Sequence, residues 1–422
     1  MVRLHHPKPR QAGLALIALT CLTILLTSCG GGKSNKLFDP AKVGFTATYN
    51  PIYDNQFYPS LILASESAQT FNDPVAQMLT PFSFTVTAPA DGCVLRVVID
   101  SSVLNYVTII QEVLPHRGVQ YTIQGTAKWK YDNLRSTRLG YPVDLTFTCY
   151  INDEEVDIEN IRLNCRSINE CPLSLANGSQ RVDTRWLFAA YVNEDHPQIE
   201  NILSDILDQG IVNSFNGYQN GPESVRRQVL AVWHYVLRRG IAYSSISCTS
   251  NPSTTTNVQH IRLFDEVWNT RQANCIDACV FFASILRKIG IRTVIFVEPC
   301  HAYLGYYTDR NRRHLELIET TITSWVNIPE LQRSLDADGR LPQEQFDKIS
   351  KYLSQKDIQL WNEGRLTFDQ LTQAVAISLL EKAKVYNDDT YKANRTNFAD
   401  TANIAYQQLD IEQLRTKVQP IR

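Results

Sequence analysis

The chain has 422 residues, with 41 lysines and arginines against 43 aspartates and glutamates, a net charge of -2 and a pI of about 6.5. There is no basic excess to neutralise phosphates, so nucleic acid is not an expected partner. Apolar residues make up 44% of the chain, an ordinary globular share, and the length allows two or three domains with cores of their own.

The first residues read as an address. Arg3, Lys8 and Arg10 give a basic start, and Gly13 to Leu26 is an apolar run broken by Thr20 and Thr23. A bilayer span needs about 20 apolar residues, so the run suits the core of a secretory signal; a short transmembrane anchor is the plainer alternative. It ends in Leu26-Thr27-Ser28-Cys29-Gly30, which resembles a bacterial lipobox. That resemblance implies a signal at 1–28, cleavage before Cys29, acylation of Cys29 and a lipid anchor in the cell envelope. Gly30 after the cysteine favours the outer membrane over the inner one. Residues 29–40 then form the lipidated cysteine and a flexible tether.

Residues 41–180 are expected to form an all-β sandwich. Phe82-Ser-Phe-Thr-Val-Thr alternates apolar and polar, Cys93 to Ile99 is a denser apolar run, and Tyr121 to Ile123 and Val143 to Ile151 continue the pattern. Turn signals such as Ala90-Asp91-Gly92 and Asn152-Asp153 separate these strands. In a compartment that permits disulfides, Cys93 with Cys149 and Cys165 with Cys171 are candidate pairs, buried free thiols being the alternative.

Helical spacing begins near Arg185. Ile199, Ile202, Leu203, Ile206 and Leu207 mark one helix, and Val225 to Leu237 mark a second after Pro222, stopped by Gly240. Ile241 to Ser245 reads as extended and Cys248 to Val258 as a polar loop. Asn274 is a favourable N-cap for a helix that opens at Cys275 and is apolar on nearly all sides through Ile289, hence buried. At the helix start Cys275 faces the positive end of the dipole, which favours the nucleophilic thiolate. Gly290 ends the helix. Ile291 to Val297, His301 to Tyr307 and Leu315 to Thr320 then read as three strands, with Thr308 to Arg313 as a turn. From Trp325 onward the chain reads as mostly helical and polar, packing over the core or roofing a cleft. Within it Thr367-Phe-Asp-Gln370 has capping-box spacing ahead of a helix from Leu371 to Tyr386.

The order Cys275 at a helix start, His301 at a strand start and Glu319 on the next strand resembles the core of the transglutaminase-like superfamily. His301-Ala302, Gly290-Ile291 and Glu319-Thr320 match steps of its pattern, and the resemblance covers roughly residues 222–321. Two departures stand out: Glu319 where aspartate is usual, and Asn274 before the cysteine. Strand parity favours Glu319 over Glu316, because Leu315, Leu317 and Glu319 share one face. The resemblance implies an α+β papain-like core at 181–324 and a helical extension at 325–422. It also implies thiol chemistry on an amide or peptide, with Cys275 as nucleophile, His301 as general base and Glu319 orienting the imidazole. No cofactor is implied. Asp277 reads as a first-turn helix acid with a possible supporting part. The Cys275 backbone N–H is one natural oxyanion donor, and Gln259, Gln272 and Trp233 are candidates for another.

Two rival readings use the same residues. Cys275, Cys279, Cys300 and His301 could be zinc ligands, but adjacent strand residues such as Cys300 and His301 point to opposite faces. The core could instead be a catalytically silent scaffold that binds peptide or glycan, or that merely supports the β-sandwich.

Overall fold

The computed structural model describes residues 39, 42–65, 81–177, 180–245, 257–400, 403 and 405–422. The expected signal, Cys29, the tether and Cys248 lie outside the described residues. The chain is mixed α/β with several sheets and a long C-terminal helix.

Eight strands build the first two sheets: β1 (Thr46–Tyr49), β2 (Gln56–Phe57), β3 (Phe82–Thr87), β4 (Cys93–Ile99), β5 (Thr108–Leu114), β6 (Gln120–Gly125), β7 (Tyr141–Ile151) and β8 (Glu154–Cys165). Alternation sets their faces. Phe82, Phe84 and Val86 are buried while Ser83, Thr85 and Thr87 are partly exposed, and β4 repeats the pattern. One sheet has the order β1-β3-β6, the other β2-β8-β7-β4-β5. Phe82 and Phe84 of the first meet Phe147 of the second, with ring centroids 5.1 and 5.7 Å apart, so the two sheets share an aromatic core.

Neither expected disulfide forms: Cys93, Cys149, Cys165 and Cys171 are buried free thiols. Register explains the first case. Cys149 lies opposite Val97, four residues along β4 from Cys93. At a strand rise of about 3.3 Å per residue that is about 13 Å, far beyond the roughly 4.4–6.8 Å between Cα atoms that a disulfide bridges.

β9 (Glu170–Asn177) pairs with β10 (Gln180–Asp183) and, from much later in the chain, with β12 (Asn257–His260). This sheet spans the position expected to divide the first two domains, and residues 40–422 cluster as one compact unit. Between these strands lie α1 (Gln198–Asp208), which buries Ile199, Ile202 and Ile206, and α2 (Gly221–Arg239), which buries Val229, Val232, Trp233 and Val236. Gly240 ends α2 at φ 72°, a left-handed conformation that glycine takes at little cost. Next, β11 (Ala242–Tyr243) runs parallel to β13 (Gln272–Ala273).

The core proper is α3 (Cys275–Lys288) packed on a four-stranded antiparallel sheet. β14 (Thr293–Glu298) and β15 (His301–Tyr307) form a hairpin, and β16 (Leu315–Ile318) lies beside β15. Residues Ile276 to Leu286 of α3 are all buried, as an all-round apolar helix requires. The helix α4 (Phe368–Ala399) is capped by a Thr367–Gln370 box and packs on β16 and α2. The C-terminal stretch is mostly helical, as expected, with one strand added. β17 (Gln407–Asp410) adds a fourth strand at the edge of β14. Only Leu409 of that strand is buried, so it has no apolar alternation to reveal it. No helix among the described residues is long and apolar enough to cross a membrane.

Candidate active site

The start of α3 is built by reciprocal bonds. Asn274 Oδ1 accepts the Asp277 N–H at 2.8 Å, and Asp277 Oδ2 accepts the Asn274 N–H at 2.9 Å, a capping box. Asp277 is fully buried and also accepts the Arg262 N–H at 2.8 Å and its guanidinium at 2.7 Å. Burial nevertheless outweighs these bonds and raises the Asp277 carboxyl pKa. Asp277 thus fixes where the helix begins. The first helical residue is Cys275, half-buried, in the turn whose free N–H groups carry the positive end of the dipole.

His301 opens β15, and its Nε2 lies 2.7 Å from Glu319 Oε2. A carboxylate only accepts, so Nε2 carries a proton toward Glu319 and Nδ1 is the nitrogen left for proton exchange. Burial lowers the imidazole pKa, while hydrogen bonds to Cys275 and Glu319, together with their negative charges, raise it; the net effect lifts it to about 10. The histidine therefore bridges thiol and carboxylate.

Glu319 is held from three sides. Its Oε1 accepts the Thr321 N–H at 3.0 Å and the Thr321 hydroxyl at 2.6 Å, and its backbone N–H donates to the Ala383 carbonyl of α4 at 3.2 Å. The strand expected to reach Thr320 stops at Ile318, and Glu319 caps a short 3-10 helix, Thr320–Trp325. That local turn is what aims its carboxylate at His301. Glu316 faces elsewhere, to Arg226 at 2.6 Å and Lys384 at 3.1 Å, as strand alternation requires.

The remaining candidates separate. Gln259 donates its amide to the neighbouring His260 carbonyl at 2.9 Å. Trp233 is fully buried, stacked on Phe282, with an unpartnered indole N–H. Gln272 is exposed on β13. Cys279 is buried with its sulfur 3.7 Å from the Thr320 hydroxyl, and burial raises its thiol pKa well above the ordinary value. Cys300 is exposed at the hairpin tip. Among the described residues no three His, Cys, Asp or Glu side chains form a group able to hold a metal ion; the four cysteine and histidine residues of the zinc reading are not gathered.

No protein-family model matches the chain, and no curated protein matches it.

Three neighbours of the site were not anticipated. Tyr243 pairs with Ala273, which brings it beside Cys275. Its phenol pKa is raised by burial and by the negative charges of Cys275 and Glu319, and its side chain is 44% exposed, so it stands at the mouth of the site. Ser244 donates its N–H to the Ala273 carbonyl at 2.8 Å, and its buried hydroxyl has no partner. Glu298 lies directly across the hairpin from His301. The two-residue parallel pairing that positions Tyr243 and Ser244 leaves no periodic signal. The Glu298 position follows from the register of a two-residue turn at Pro299-Cys300, which only the hairpin itself defines.

Proposed function

We propose that the chain is a thiol enzyme of transglutaminase-like type that hydrolyses, or transfers, an amide or peptide acyl group through a thioester on Cys275. In this reading the two N-terminal sheets are a β-sandwich, residues 181–324 are a papain-like core, and acylated Cys29 tethers the whole to the bacterial envelope, where the substrate is a peptide or protein. The observation that carries the reading is His301, which engages the Cys275 sulfur while its Nε2 lies 2.7 Å from a buried carboxylate.

The chemistry follows from these positions. The Cys275 thiol gives its proton to His301 Nδ1, and the thiolate attacks the acyl carbon. The developing oxyanion meets the Cys275 N–H at the positive end of α3. The imidazolium then protonates the leaving nitrogen, the C–N bond breaks, and a thioester remains. Water that loses its proton to Nδ1 releases the acid; an amine in its place completes a transfer. Glu319 holds the tautomer and stabilises the imidazolium at each proton transfer.

Site-resolved alkylation by iodoacetamide, read by peptide mass spectrometry at pH 7, tests this. His301→Ala is expected to slow modification of Cys275 about a hundredfold, in the range ascribed to a positioned base. An equal rate in wild type and variant rejects an activated thiol and leaves the silent scaffold.

A further inference from the structure

We infer that the site selects substrates carrying an ammonium group close to the reacting acyl carbon, with Glu298 as the residue that receives it. The inference rests on Cys275 being the nucleophile, as proposed above.

The hairpin register places Glu298. It pairs directly with His301, and Phe296 pairs with Tyr303 one step further along. Opposed residues of an antiparallel pair project from the same face with Cβ atoms about 4.5–5.5 Å apart. The Glu298 carboxylate and the imidazole therefore share one patch of surface, and Tyr303 continues the patch with its ring 6.2 Å from that of His301.

Charge is unbalanced there. Several carboxylates elsewhere in this core are neutralised: Glu316 by Arg226 and Lys384, Glu194 by Arg287 and Arg415, and the fully buried Asp277 by Arg262. Among the described residues no lysine or arginine stands within ion-pair distance of Glu298, which accepts a hydrogen bond from the neutral amide of Asn394 at 3.4 Å. Among the described residues Glu319 has His301 as its one cationic partner. Whichever of Cys275 and His301 holds the shared proton, the pair carries no net charge, so two carboxylates share a site with no lysine or arginine beside them among the described residues. A partly buried negative charge is costly unless a cation completes it.

A second observation points the same way. Tyr303 is fully buried on this face, and its hydroxyl has no hydrogen-bond partner. The floor beneath Glu298 and His301 is therefore aromatic, with poor screening of the charges above it. Consistent with this, burial raises the Glu298 carboxyl pKa, His301 lowers it and Glu319 raises it again. Glu298 remains partly exposed while Glu319 is buried, so it is the carboxylate that an arriving ammonium can reach.

The test compares two methanethiosulfonate reagents on the full chain, one bearing a trimethylammonium-ethyl group and one a sulfonatoethyl group. The Cys275 sulfur attacks the reagent's sulfenyl sulfur, breaking its S–S bond, forming a mixed disulfide and releasing methanesulfinate. Rates at Cys275 are resolved from those at Cys300 by peptide mass spectrometry and normalised to 2-mercaptoethanol. The cationic reagent is expected to react about tenfold faster at low ionic strength. The preference is expected to fall to about threefold in Glu298→Gln and toward unity in wild type at 0.5 M salt, where the Debye length is only about 4 Å. Protection of Cys275 by alaninamide or by N-acetyl-lysine methylamide then separates an α-amine from a side-chain amine. A reactive Cys275 with a ratio near one, or with protection by neither amine, overturns the ammonium inference and leaves the thiol reading standing. A Cys275 inert to both reagents overturns the two together.

Discussion

The β-rich region and the region from Cys275 to Glu319 both contain cysteines that are not in disulfides, and they treat them in opposite ways. In the first, Cys149 is pushed up to about 12 and Cys165 to about 11, in each case chiefly by burial, and Cys171 is raised well above its ordinary value by burial alone. These thiols lie among apolar side chains and behave as small hydrophobes. In the second, Cys275 is half-buried, stands at the start of a helix, and has a histidine bound to a buried glutamate beside it. The difference shows how little a thiol's identity says about its chemistry. What decides is whether the fold supplies a helix terminus and a base or only apolar neighbours. Cys279 makes the same point within one helix: a single turn beyond Cys275 it is fully buried and its thiol is raised like those of the β-rich region.

The widest expected gap lies between these two classes. In native conditions iodoacetamide should modify Cys275 at least about a thousandfold faster than Cys149 or Cys171, because the buried thiols are reached only through opening of the structure. Modification of Cys149 at a rate within tenfold of Cys275 would break the comparison. Next comes the device that defines the helix start. Arg262→Ala leaves Asp277 fully buried and without its ion pair, which is expected to cost about 3–5 kcal/mol of stability. Denaturant unfolding measures this, and a loss below 1 kcal/mol would show that Asp277 and Asn274 hold the helix start unaided.

The site's skeleton was legible in the sequence because its signals are local. Asn274 ahead of an all-apolar run marks where α3 begins, so Cys275 falls in the first turn; the β-branched run that Pro299-Cys300 interrupts, and the apolar, tyrosine-rich run after it, place His301 at a strand start. Parity on β16 selects Glu319 over Glu316, although the last step, a 3-10 turn beyond Ile318, is tertiary in origin. The residues missed are those placed by distant pairing. Tyr243 reaches Cys275 through a two-residue parallel bridge, and Glu298 depends on a hairpin register. β17 joins the sheet from beyond a 32-residue helix with one buried side chain to announce it. The unformed Cys93–Cys149 bridge has the same origin: two strands can neighbour each other while their cysteines sit four residues out of register.

The smallest of these effects is the most diagnostic. Glu319→Gln preserves size and one acceptor oxygen but removes the charge that supports the raised imidazole pKa. Alkylation of Cys275 at pH 7 is expected to slow about tenfold, roughly the loss of one charge-assisted hydrogen bond of about 1.5 kcal/mol. Stability supplies the sign. A histidine whose pKa rises from its ordinary 6.5 to about 10 on folding contributes fully below pH 6.5 and loses that contribution as pH climbs through 10. The stability difference between wild type and Glu319→Gln should therefore be greatest near pH 6 and shrink steadily toward pH 10. A difference that grew with pH would mean that Glu319 acts through Thr321 and the turn rather than through the imidazole. The proposed activation of Cys275 would then rest on the helix terminus and His301 without the carboxylate.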